Sequence, residues 1–150
     1  MDETYSFTYH RMAIGSLSEC DRELIEQART AARTAYAPYS RFGVGAAARL
    51  DDGNVLSASN QESEVLPSGM CAERILLYWV QANAGPRKIE TLAITAAQGD
   101  AICTPCAACR QVIADTEKRQ HHPIRILMVG THEVIIVEQA GHLIPFRFEL

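Results

Sequence analysis

Apolar positions along the chain recur with two different periods. Leu24, Ala28, Ala31 and Ala35 fall on one face at helical spacing. Ser18 is placed to cap that helix, Asp21 lies near its positive end, and Pro38 is expected to close it, since the residue before a proline avoids the helical region. Two strand-like runs follow, Val44–Leu50 and Val55–Ser59, joined by the hairpin signal Asp51-Asp52-Gly53-Asn54. A loop over residues 60–69 leads into a helix over 71–83, stopped by Gly85-Pro86. Residues 92–97 read as a buried strand, 106–118 as another helix, and 124–129 and 134–137 as the last strands. Leu76, Leu77, Trp79 and Val80 form a helix face suited to the core or to a subunit interface. The order α-β-β-α-β-α-β-β predicts a mixed, roughly five-stranded sheet with helices on its faces, a three-layer α/β/α arrangement. With no repeat, linker or low-complexity tract, residues 1–150 are expected to form one domain.

Composition narrows the functional classes. A hydrophobic share of 47% supports a real core. The formal net charge of −4 and the absence of a basic run argue against a nucleic-acid partner, because phosphate binding needs a basic footprint. No apolar stretch is long enough to predict a transmembrane helix, and the acidic start Met1-Asp2-Glu3 does not resemble a signal peptide. Free thiols at ligand spacing then read as a metal site in a reducing, cytoplasmic setting rather than as disulfides.

Two short segments carry the chemistry, Cys71-Ala72-Glu73 and Pro105-Cys106-Ala107-Ala108-Cys109. Three thiolates are one ligand short of a closed zinc site, and a catalytic zinc keeps that fourth position for water. Glu73 lies where it can move protons without binding metal. Cys71, Cys106 and Cys109 are expected in the first turns of their helices, where the helix dipole and free N–H groups stabilise thiolates. Three thiolates on Zn²⁺ leave a net negative centre, and Arg74 or Arg110, each beside a ligand, can offset it. A structural zinc with Cys103 as fourth ligand is the competing reading, but it leaves Glu73 unexplained. His121 and His122 lack a partner at ligand spacing and read as surface residues.

The order Cys-x-Glu followed by Pro-Cys-x-x-Cys resembles the zinc deaminase pattern. The likeness extends from about residue 18 to the C-terminus. Ala37-Pro38-Tyr39-Ser40-Arg41-Phe42-Gly43-Val44-Gly45, Asn60-Gln61-Glu62, Gly69-Met70-Cys71-Ala72-Glu73-Arg74 and Leu143-Ile144-Pro145 with Phe148 resemble, in order, segments of the small homotetrameric cytidine deaminases. The resemblance implies one Zn²⁺ per chain on Cys71, Cys106 and Cys109, with Glu73 as the proton carrier and Arg74 on a sulfur. It further implies that Phe42 stacks on the base and that the Ala72 N–H holds the 2-oxo group. Asn60 and Glu62 would bind the ribose, and Phe148 would reach a neighbour's site in a homotetramer. The implied reaction is deamination of free cytidine or deoxycytidine in pyrimidine salvage, with no nucleic acid or membrane as partner. The departure Ser63-Glu64-Val65-Leu66, in place of the family's run after the ribose-binding Glu, keeps a modified cytosine nucleoside, such as a blasticidin S-like antibiotic, open as an alternative substrate.

Overall fold

A computed structural model describes residues 1–150, which form six strands and three helices. The strands are β1 (His10–Ala13), β2 (Val44–Leu50), β3 (Val55–Ser59), β4 (Ile89–Ala96), β5 (Arg125–Val129) and β6 (Glu133–Val137). The helices are α1 (Glu19–Ala32), α2 (Ala72–Asn83) and α3 (Ala107–Gln120). One sheet runs in the order β1-β6-β5-β4-β2-β3. Only β4 and β5 are parallel, and α3 is the crossover that parallel pairing requires.

Strand alternation divides the apolar residues between the two faces of the sheet. Ala47, Ala93, Leu127, Val129, Val134 and Ile136 meet Leu24, Ile25 and Ala28 of α1. Ala46, Ala48, Leu92, Ile94, Ile126 and Met128 meet Leu76, Leu77 and Val80 of α2 and Val112 and Ile113 of α3. The expected three layers are therefore present. The small residues of β2 have a steric cause: a Cβ at Gly45 would overlap the Ala28 carbonyl oxygen, so α1 lies directly on the strand backbone.

Two expectations need correction. The sheet has six strands rather than five, because residues 10–13 pair with β6. β1 is almost wholly exposed and carries no apolar alternation; its ladder to β6 and an ion pair from Arg11 to Glu133 at 2.6 Å hold it. Helix α1 also ends at Ala32, well before Pro38. The chain turns out there to bridge Tyr36 to Gln61, so a long-range pairing decides where the helix stops.

Ser18 caps α1 as expected, its Oγ accepting from the Asp21 N–H at 3.2 Å. Asp21 is buried, and its carboxylate accepts from Arg49 at 3.0 Å and Arg125 at 2.8 Å, joining α1 to β2 and β5. Burial pushes the Asp21 carboxyl up, but hydrogen bonds from Arg125 and Arg49 outweigh it and hold the group below its usual value. A depressed carboxyl stabilises the fold above its unfolded value, roughly 3.9, and that contribution is lost as pH falls through the folded value. Asp21→Asn is expected to cost about 2 kcal/mol at pH 7, less than for a fully buried pair because both arginines are partly solvated. Urea titrations should show the gap between wild type and variant closing in acid; a pH-independent gap would remove the ion pairs as its cause.

Candidate metal centre and adjoining cleft

Helices α2 and α3 begin close together on one face of the sheet, and each starts at a cysteine. Cys71 is the N-cap of α2 and Cys106 the N-cap of α3, where Cys106 Sγ accepts from the Cys109 N–H at 3.4 Å. The sulfurs of Cys71, Cys106 and Cys109 all lie within 4.8 Å of one another, and Cys71 and Cys106 are 3.9 Å apart. Tetrahedral zinc with bonds of about 2.3 Å needs sulfurs about 3.8 Å apart, so the donor set and its spacing fit the ion. Cys103 does not join this group; it is a buried thiol of the core, pushed up to about 12 by desolvation and by the nearby Glu73.

Opposing effects tune the thiols. The hydrogen bond with the Cys109 side chain, followed by one from Arg74 Nη2 at 3.5 Å, outweighs burial and lowers the Cys71 thiol to about 5. Cys109, the partner that retains the proton, shifts upward. Arg74 shifts upward as well, chiefly through its bond to Cys71, and stays a cation. The other flanking arginine acts elsewhere: Arg110 Nε donates to the Pro105 carbonyl at 2.9 Å and Nη1 to that of Leu143 at 3.1 Å. It therefore braces the loop before Cys106 and the start of the C-terminal tail. Glu73 is only 4% exposed, and desolvation raises its carboxyl above the ordinary value, with the charge of Cys71 adding to the rise.

A cleft of about 360 Å³ opens beside Cys71 and Arg74. Asn60, Glu62, Ser63, Leu66 and Met70 line it, together with Tyr39 and Ser40. Glu62 accepts from the Tyr39 N–H at 2.8 Å and the Ser40 N–H at 3.2 Å. Hydrogen bonds from Ser40, its side chain first, and from Tyr39 outweigh burial and keep the Glu62 carboxyl below its usual value. Asn60 has a role that its sequence position did not disclose. Its Oδ1 accepts from the Val44 N–H at 2.7 Å and its Nδ2 donates to the Phe42 carbonyl at 2.9 Å. The side chain thus clamps the segment that carries Phe42, and Oδ1 keeps one lone pair. Tyr39 and Ser40 were missed as site residues, although they immediately precede Arg41-Phe42 in the segment that begins at Ala37. Phe42 is half exposed and Ala72 is buried at the first turn of α2; neither is among the cleft-lining side chains. Phe148 is 69% exposed on the tail and also lies outside its own chain's cleft, with its carbonyl accepting from Gln111 at 3.0 Å. Glu64 faces solvent, whereas its neighbours Ser63 and Leu66 line the cleft.

Soft donors gathered at two helix N-termini, on one face of the sheet in a three-layer domain, define a zinc-binding protein. A family model described as the cytidine and deoxycytidylate deaminase zinc-binding region matches residues 18–122, and the chain belongs to that family. It is 37% identical over 107 residues to a cytidine deaminase of Mycobacterium tuberculosis, covering 69% of this chain and 78% of that one. A cytidine deaminase of Halalkalibacterium halodurans is 41% identical over 96 residues, covering 63% and 71%. Among solved structures, the cytidine deaminase of Burkholderia pseudomallei superposes with a TM-score of 0.72 at 34% identity, covering 88% of this chain and 100% of that one. No helix is long and apolar enough to cross a membrane.

Proposed function

We propose that the protein hydrolyses the exocyclic amine of free cytidine and deoxycytidine, giving uridine or deoxyuridine and ammonia. The observation that carries this reading is the convergence of three thiols and a buried carboxylic acid at the ends of two helices. Cys71, Cys106 and Cys109 would hold zinc, which supplies the Lewis acidity that makes hydroxide available near neutral pH. Glu73, raised by burial toward neutrality, is suited both to accept a proton from the attacking water and to deliver protons to ring N3 and the leaving amine. The first N–H groups of a helix have no partner within it, so Ala72 N–H is available to the 2-oxo group of the base. Phe42, fixed by Asn60, would stack on the ring. The anionic Glu62 and the free lone pair of Asn60 would take the ribose hydroxyls at the cleft. Arg74 holds Cys71 as a thiolate and reduces the net negative charge of the centre.

Ammonia release from a panel of cytidine, deoxycytidine, cytosine and their 5′-phosphates tests the reading. The free nucleosides should be turned over and the phosphates poorly, because Glu62 is anionic at the sugar end. Turnover of none of them, or of the phosphates alone, would overturn it.

The working unit is a homotetramer with shared sites and a role in pyrimidine salvage. Leu66 at 73% exposure, Trp79 at 50% and Phe148 at 69% support the assembly, since packing such side chains on neighbours removes apolar area worth about 25 cal/mol per Å². Truncation after Pro145 should raise KM for cytidine and weaken assembly, read by steady-state kinetics and light scattering. A truncated chain that remains tetrameric with unchanged KM would remove the tail from the site.

A further inference from the structure

Residues 1–17 precede the family match, yet they do not hang free. β1 adds a strand to the sheet edge, and the segment before it lies across the turn Ala140–His142, from which the C-terminal tail departs. Tyr5 OH donates to the Gly141 carbonyl at 2.6 Å. Phe7 stacks on the His142 ring with centroids 5.6 Å apart and 23° between planes. Tyr5, Phe7 and Tyr9 continue as a ladder of rings, each 6.3 Å from the next.

The far side of the same turn is fixed by α3. Glu117 accepts from the Ala140 N–H at 2.7 Å, and Arg110, next to Cys109, holds the Leu143 carbonyl. Gln111 holds the Phe148 carbonyl. The turn is therefore clamped between the zinc-bearing helix and the N-terminal segment. Glu117 and Arg110 act on backbone groups and fix where the turn lies. Phe7 supplies the aromatic packing on His142, whose Nε2 also meets the Gln139 side chain at 3.0 Å. Small aromatic contacts of this kind are worth fractions of the binding energy of a nucleoside, enough to move a tail but not to unfold a domain.

We infer that Tyr5 and Phe7 are positioning residues: the N-terminal strap orders the tail that carries Phe148 and so sets nucleoside affinity. The inference rests on the proposed deaminase reading and on Phe148 acting at a site. Neither residue belongs to the two buried clusters of the core, so their replacement leaves the sheet intact. In the full-length zinc-loaded protein, Phe7→Ala is expected to raise KM for cytidine about threefold to tenfold, the equivalent of one lost aromatic contact, with kcat little changed. Phe7→Tyr, which keeps the ring, should restore wild-type KM, and Tyr5→Phe should give a smaller rise. Hydrogen exchange over residues 143–148 should speed up in Phe7→Ala while the strands keep their protection. In a chain truncated after Pro145, Phe7→Ala should add nothing to KM.

Unchanged KM or unchanged tail exchange in Phe7→Ala would overturn the inference. So would a rise in KM that persists in the truncated chain, since the strap would then act by another route. Failure of the deaminase reading is separate: it would appear as a wild-type chain that releases no ammonia from cytidine, whatever the tail does.

Discussion

Glu73→Gln should abolish turnover of cytidine while leaving the zinc content and the fold as they are. Gln nearly matches Glu in shape but cannot accept a proton from water. General acid–base groups contribute about 10²–10⁴-fold, and Glu73 would serve more than one transfer in the cycle, so the loss should fall at or beyond the upper end. The burial of Glu73 makes the expectation about folding specific. A neutral amide is cheaper to desolvate than a carboxylate, so thermal stability should hold or rise slightly. The informative measurement is kcat beside zinc per chain and the melting temperature. A variant with near-normal kcat would take Glu73 out of the reaction; one that loses zinc would make it a structural residue.

Removing the metal should have an equally large effect on activity and a small one on the fold. Cys106→Ala is expected to reduce zinc from one per chain to near zero and to eliminate turnover, as should treatment of the wild-type protein with a strong chelator. Small zinc modules unfold without metal because metal binding is their folding free energy. This chain differs, because two apolar clusters fill both faces of a six-stranded sheet and neither contains Cys71 or Cys106. Far-ultraviolet circular dichroism of the metal-free protein should therefore stay close to that of the loaded protein. Collapse of the signal on chelation would favour a structural zinc and count against the catalytic assignment. Restoration of activity on adding back zinc would complete the case.

The two expected results share a structural origin. Each depends on two helix starts, with Cys71 and Cys106 at the N-caps and Glu73 and Cys109 in the first turns, where unpartnered N–H groups and the dipole favour negative charge. Arg74 adds a cation to the same spot. The anionic metal centre is thus supported by backbone geometry first and by one side chain second.

Local features were legible in the sequence because short-range physics sets them. The i, i+3 spacing of Cys106 and Cys109 puts both thiols at one helix start whatever the rest of the chain does. Ser18 makes its cap within a single turn, and the near-continuous apolar runs of β2, β4, β5 and β6 follow from burial on both faces. The likeness of several ordered motifs carried the pairing of Cys71 with a segment 35 residues away, which no local rule provides.

What only the tertiary structure decided has a common cause: each item turns on a partner distant in sequence. Strand β1 has no apolar pattern of its own and exists because β6 offers a free edge. Helix α1 stops at Ala32 because Tyr36 is drawn to Gln61. Arg74 and Arg110 look equivalent beside their cysteines, yet one turn of α2 returns Arg74 to the Cys71 sulfur, while Arg110 points toward Pro105 and Leu143. Asn60 reads as a ligand-binding amide and proves to clamp the Phe42 segment as well. The sequence by itself determined the set of metal-binding thiols and the layer order, since both arise from residue type and period. Which arginine meets the sulfur, what holds the tail and how the sheet is edged were decided by long-range contacts, whose free energy is gained only when the chain has closed on itself.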